Sequence, residues 1–151
     1  MTALRTWRSV RLSLVRERSD QPYTLRGPDG VAALARAFIG DEPREVFCAI
    51  YLDSRHRPLA VHRVSVGTAE VTTVHPREVY GPALMLGAVR IVVAHNHPSG
   101  DPAPSAEDRM VTERLRQAGQ LLGVEMLDHV VLGSERFYSF AEEATRVYGA
   151  P

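Results

Sequence analysis

Between His95 and Asp108 the chain reads HNHPSGDPAPSAED, setting two imidazoles, a hydroxyl and a carboxylate within fourteen residues. The apolar run Ile91-Val92-Val93-Ala94 leads into it and a segment of helical periodicity follows, so these polar groups gather where a buried strand ends. In extended chain, residues two apart point the same way. His95 and His97 can therefore present their rings to one point while Asn96 turns aside. A catalytic zinc site takes three protein ligands and keeps a position open for water, and a carboxylate is an acceptable third ligand. Asp108 can supply it if the chain folds back, and Gly100, Pro102 and Pro104 favour the turns that fold it back. With Ser105 as N-cap, Asp108 falls in the first turn of the next helix, on the end facing the histidines. Taken singly, a histidine is more often packed or at the surface than a ligand, and Ser-x-x-Asp before an apolar run is an ordinary capping box. Their conjunction points to a metal.

The spacing His95-x-His97, seven residues, Ser105, two residues, Asp108 resembles the motif of the JAMM (JAB/MPN) metalloproteases at every element, and the fuller string is similar to the RadC-like branch of that superfamily. Arg44-Glu45-Val46-Phe47, Gly67-Thr68, His75-Pro76-Arg77-Glu78 and Leu127-Asp128-His129 resemble RadC segments in the same order, so the resemblance runs from roughly Tyr23 to the C-terminus. It implies a single α/β domain of the cytidine-deaminase-like JAB/MPN fold, a mixed β-sheet flanked by helices. It also implies one Zn2+ per chain on His95, His97 and Asp108. Glu45, which alone would read as a charge at a strand entry, matches the family's catalytic glutamate, and Ser105 matches its oxyanion donor. The implied activity is hydrolysis of a peptide or isopeptide bond by zinc-activated water, in a peptide or protein substrate that includes ubiquitin-like or small-protein conjugates.

Residues 1–22 form an Arg-rich arm or edge strand, with Arg5, Arg8, Arg11, Arg16 and Arg18 around Trp7 and the alternation Val10-x-Leu12-x-Leu14. A solvated edge strand is preferred over an arm touching nucleic acid or a partner. Residues 23–151 form the RadC-like domain, and the chain leaves no room before it for the helix-hairpin-helix region that full RadC-like proteins usually carry. Within the domain, Pro28 opens and Gly40 closes a helix burying Val31, Leu34 and Phe38. Val46 to Leu52 is continuously apolar, as for a central strand, and a turn at Asp53–His56 makes a hairpin with Pro58–Val66. Pro76 starts a helix that ends at Gly87, with Val79, Ala83 and Leu86 inward. Arg90–Ala94 is the strand delivering the motif.

The longest helix runs from Ser105 to about Leu122, with Val111, Leu115, Ala118 and Leu122 on its buried face. Strands follow at Glu125–Leu132 and Phe137–Ser139, and Ser139-x-x-Glu142 reads as the cap of a final helix. His75 reads as a helix-entry or supporting residue, and His56 and His62 as surface. His129, beside Asp128, reads as support for the ligands or as strand packing, because a fourth ligand would take the position that a hydrolytic water needs.

Charge and cysteine content narrow the function classes. The 18 basic and 18 acidic residues cancel, so the chain as a whole has no electrostatic hold on nucleic acid. All its basic residues are arginine, so any isopeptide conjugate must be formed on a partner. The single cysteine, Cys48, rules out an intrachain disulfide and a cysteine-based zinc ribbon. No apolar run is long enough to span a membrane, and Met1-Thr2-Ala3 leads into arginines rather than a signal peptide, so the expected location is cytoplasmic. Zinc deaminases need a later Pro-Cys-x-x-Cys, thermolysin-like proteases a helical His-Glu-x-x-His, and HNH nucleases dispersed ligands; none is here. The alternative to a peptidase is a RadC-like DNA-repair-associated binding module with a structural or non-catalytic metal. The neutral charge balance weighs against it.

Overall fold

In the computed structural model the described residues are 24–67 and 74–149. The Arg-rich arm of residues 1–22, Tyr23 and Thr68 lie outside them. The chain runs α1 (Gly27–Ile39), β1 (Val46–Leu52), β2 (Pro58–Val66), α2 (Pro76–Leu86), β3 (Arg90–Asn96), α3 (Ala106–Leu122), β4 (Glu125–Leu132), β5 (Arg136–Ser139) and β6 (Ala144–Val147).

Every residue of β1 is buried because the strand has neighbours on both edges and helices on both faces. The sheet order is β2-β1-β3-β4-β5-β6. Among the described residues only β3 and β4 pair in parallel, joined by the crossover through α3 that parallel pairing requires. On one face, α1 packs over Cys48, Ile50, Leu52, Val92, Ala94 and Val130. On the other, α2 and α3 cover Phe47, Ala49, Tyr51, Ile91, Val93 and Met126. The result is a three-layer α/β/α domain with a mixed sheet.

The alternation along β3 has a direct consequence for the motif. Ile91 and Val93 face α2 and α3, so His95, two residues on, emerges on that same side, at the base of α3. The strand also continues through Asn96, two residues beyond the Ala94 limit expected from apolarity, so His95 belongs to the buried ladder itself and is 1% exposed.

Two expectations fail. Leu122 is exposed, and the buried stripe of α3 is Asp108, Thr112, Leu115 and Gly119. Gly119 belongs there because any Cβ would strike the Val124 carbonyl and the Tyr80 hydroxyl, which itself donates to the Leu115 carbonyl at 2.7 Å. The stripe escapes an apolar pattern because three of its four members are polar or lack a side chain.

The final helix is also absent. Residues 140–143 are a turn joining β5 to β6, closed by the Ser139–Ala144 pair. Ser139 Oγ does accept from the Glu142 amide at 3.2 Å, as a cap would, but its own proton goes to Asp128 at 2.7 Å, and the Ala141 amide donates to the same carboxylate at 2.9 Å. That buried carboxylate holds the segment as a turn. Glu143 then takes φ +52°, which reverses the chain into the β-branched Thr145 and Val147. Among the described residues no helix is long and apolar enough to cross a membrane.

Candidate metal centre

Donor atoms of three side chains meet where β3 ends and α3 begins. His95 Nε2 lies 3.0 Å from His97 Nε2 and 3.1 Å from Asp108 Oδ1, and His97 Nε2 lies 3.1 Å from Asp108 Oδ2. Ligands about 2.0–2.1 Å from a tetrahedral zinc are separated by about 3.3 Å, so this is the spacing of a metal's ligand atoms. Among the described residues this group alone could hold a metal ion in such a way.

The fold-back that brings Asp108 to the histidines is the capping box of α3. The Ser105 amide donates to Asp108 Oδ2 at 2.7 Å, and the Asp108 amide donates to Ser105 Oγ at 3.0 Å. Reaching back to cap its helix aims the Asp108 carboxylate at His95 and His97. The ordinary reading of Ser-x-x-Asp and the metal reading describe one geometry. Ser105 Oγ, used here as an acceptor, keeps its own proton available to donate.

His97 is fixed by backbone. Its amide donates to the Leu132 carbonyl at 2.8 Å, and its Nδ1 lies 2.8 Å from the Asp101 carbonyl. A carbonyl only accepts, so Nδ1 carries the proton and the other ring nitrogen is directed at the site. Gly100, at φ +85°, and Gly133 let this loop lie on the β4–β5 turn. Ser134 donates its amide to the Gly100 carbonyl, and a Cβ on Gly133 would strike that carbonyl and Pro102.

Hydrogen bonds set the charges within the cluster. Burial alone would push the Asp108 carboxyl up, but hydrogen bonds from His95 and His97 outweigh it and hold the group well below the usual carboxylate range. The hydrogen bond to Asp108 raises His97, against the opposing effect of burial. A raised histidine contributes stability below its unfolded pKa of about 6.5 and loses it as pH rises through the folded value. The metal-free protein should therefore lose His97-dependent stability on going from mildly acid to alkaline pH. A metal ion such as zinc, if held by these three side chains, would displace that proton, and its uptake should strengthen over the same range. Calorimetric titration in buffers of different ionisation enthalpy should show a proton released per zinc near neutral pH, fading at higher pH. Release that stays constant with pH would mean His97 is not the group displaced.

Glu45 precedes β1 and is exposed. It lies two residues before Phe47, whose ring stacks on His95 at 5.9 Å, and its charge adds to the field raising His97. Extended alternation thus carries Glu45 to the histidine side. Its backbone is held from both sides. Asn96 Oδ1 accepts from the Val46 amide at 2.7 Å, Asn96 Nδ2 donates to the Arg44 carbonyl at 3.0 Å, and the Glu45 carbonyl accepts from the Gly67 amide at 2.8 Å. Asn96, which only turned aside in the sequence pattern, pins the peptide groups flanking Glu45.

His129 is fully buried and outside the ligand group, with Nε2 2.8 Å from His95 Nδ1 and Nδ1 2.6 Å from Thr112 Oγ1. Thr112 was not singled out by the sequence pattern. Its one signal is its place four residues after Asp108 on the same helix face. His75 is the N-cap of α2 and His62 is exposed. His56 is half-buried at φ +59° in the β1–β2 turn, its carbonyl accepting from the Leu25 amide.

A family model described as the RadC-like JAB domain matches residues 25–145. The UPF0758 protein of Methanosarcina mazei is 41% identical over 119 residues, which is 79% of this chain and 52% of that one. That of Alkaliphilus metalliredigens is 39% identical over 122 residues, 81% and 53% of the two chains. That of Thermotoga maritima is 45% identical over 100 residues, 66% and 45%. The chain spans about half the length of the curated relatives it matches.

Proposed function

The chain belongs to the RadC-like JAB domain family, and from that premise we propose that it is a zinc-dependent hydrolase of the JAMM type that cleaves a peptide or isopeptide bond. The observation that carries this reading is the convergence of His95 Nε2, His97 Nε2 and the Asp108 carboxylate, with the Ser105 hydroxyl beside it.

Two imidazoles and a carboxylate suit a borderline-soft divalent ion such as zinc and cancel only one of its two charges. A bound zinc supplies Lewis acidity and brings the pKa of water to about 7. The chain's own groups supply the rest. The Glu45 carboxylate, on the histidine side of the β1 entry, removes a proton from the attacking water and returns it to the leaving amine. Ser105 Oγ, committed as acceptor to the Asp108 amide, points its free proton toward the oxyanion that forms on the scissile carbonyl. Asn96 and Gly67 hold the Glu45 backbone so that the base stays placed through both transfers. Because the chain has no lysine, the isopeptide it cuts is one formed on a partner. The substrate class is then a peptide or small-protein conjugate.

The reading is tested by incubating zinc-loaded protein with linear and isopeptide-branched peptide libraries in oxygen-18 water. One heavy oxygen should enter each newly released carboxylate, and chelation should abolish the release. If protein holding one zinc per chain cuts neither library, the metal is structural and the domain is a binding module.

A further inference from the structure

We infer that Thr112, acting through His129, keeps the proton of His95 on Nδ1 and thereby reserves its Nε2 lone pair for the metal. The inference rests on the proposed ligand set but not on the proposed reaction.

The three residues form a buried chain of hydrogen bonds. His95 Nδ1 lies 2.8 Å from His129 Nε2, His129 Nδ1 lies 2.6 Å from Thr112 Oγ1, and Thr112 Oγ1 lies 2.6 Å from the Asp108 carbonyl. Relative exposures of 1%, 0% and 2% for His95, His129 and Thr112 leave solvent no share in these bonds. Neither carboxylate oxygen of neighbouring Asp128 serves the His129 ring. Oδ1 takes the His129 and Ala141 amides, and Oδ2 takes the Ser139 hydroxyl. Phe140 stacks on the His129 ring at 4.9 Å and Phe47 meets it edge-on at 5.4 Å, so apolar walls flank the ring.

The polarity of this chain follows from its far end. The Asp108 carbonyl can only accept, and Thr112 has one hydroxyl proton. Two oxygens 2.6 Å apart without a proton between them repel, so that proton lies toward the carbonyl and Oγ1 offers a lone pair to His129. His129 Nδ1 must then be the N–H. In the neutral ring its Nε2 is bare and accepts from His95 Nδ1–H. His95 Nε2, 3.0–3.1 Å from His97 Nε2 and Asp108 Oδ1, is then the nitrogen left to a bound metal.

His97 receives the same instruction in one step, from the Asp101 carbonyl. His95, 1% exposed, receives it through two side chains. Metal-ligating histidines ordinarily donate their second nitrogen to a carboxylate, a carbonyl or water. Here the acceptor is another histidine, whose tautomer a threonine sets. Thr112 and Asp108 sit one turn apart on α3, so a single helix delivers a ligand carboxylate and the carbonyl from which the proton order is set.

Replacing Thr112 by Val keeps shape and branching but removes the hydroxyl. His129 can then hold its proton on Nε2 and donate to His95 Nδ1, which drives the His95 proton onto Nε2, where it competes with zinc. Thr112→Val is expected to lower zinc affinity about 10–100-fold in chelator competition, as for loss of an outer partner, while Thr112→Ser restores it. Nitrogen-15 histidine NMR of the zinc-loaded wild type supplies a readout that needs no variant and no substrate. His129 and His95 should both carry the proton on Nδ1. A wild-type His129 protonated on Nε2 with bare Nδ1 overturns the proposal whether or not Thr112→Val folds. So does a Thr112→Val protein that binds zinc normally, or one that binds weakly with both wild-type tautomers intact.

Discussion

Asp108→Ala should give a folded protein that no longer retains zinc. After metal loading and removal of excess, elemental analysis should find about one zinc per wild-type chain and a small fraction of that in the variant. The expected loss of affinity exceeds the 10–100-fold typical of an outer partner, because a charged ligand is removed from a set of three. Asp108 has a second role that must be separated from this one. Its carboxylate caps α3 through the Ser105 amide, and loss of such a cap costs on the order of 1 kcal/mol. Asp108→Asn separates the two, since its amide oxygen still accepts from Ser105 while offering the metal a neutral, weak donor. Both variants should lose zinc, and Asn should keep more of the helix's stability. Full zinc in Asp108→Ala would mean that the ligand set is wrong, and the hydrolase reading would fail with it.

The convergence of His95, His97 and Asp108 could be read in the sequence because each is placed by short-range geometry. His95 and His97 share a side through the two-residue period of extended chain, and Asp108 reaches back through a capping box whose spacing is fixed by the helix. The sheet was legible for a similar reason, since an apolar run such as Val46–Leu52 needs cover on both faces. What the pattern concealed is held by polar side chains whose partners are distant in sequence. Asn96 bonds the Val46 amide fifty residues away, and His129 bonds His95 thirty-four away. Asp128 captures Ser139 and the Ala141 amide and so turns an apparent helix cap into a hairpin. On α3, Thr112 and Gly119 occupy core positions for reasons of hydrogen bonding and close approach, which an apolar count assigns to Leu122 instead. Local spacing told which donor groups converge, and folding was needed to tell which groups hold them in place.

Glu45→Gln divides the metal from the chemistry. Glu45 lies outside the three-ligand group, so the variant should hold as much zinc as the wild type. Gln also keeps the backbone bonds to Asn96 and Gly67, which depend on the peptide groups and not on the side chain. What it removes is a group able to take a proton from water and hand it to the leaving amine. General acid–base catalysis contributes about 10²–10⁴-fold, and turnover of a cleavable peptide should fall by that order with KM little changed, because the lost interaction belongs to the transition state. Glu45→Asp should recover part of the rate, since a carboxylate survives one methylene short of its position. Loss of zinc in Glu45→Gln would make the residue a ligand instead. Retained zinc with full turnover would place the base elsewhere. Retained zinc with lost turnover and partial rescue by Asp fits only a carboxylate acting on a proton beside the metal, and that outcome would also separate this domain from a fold that keeps its metal without using it.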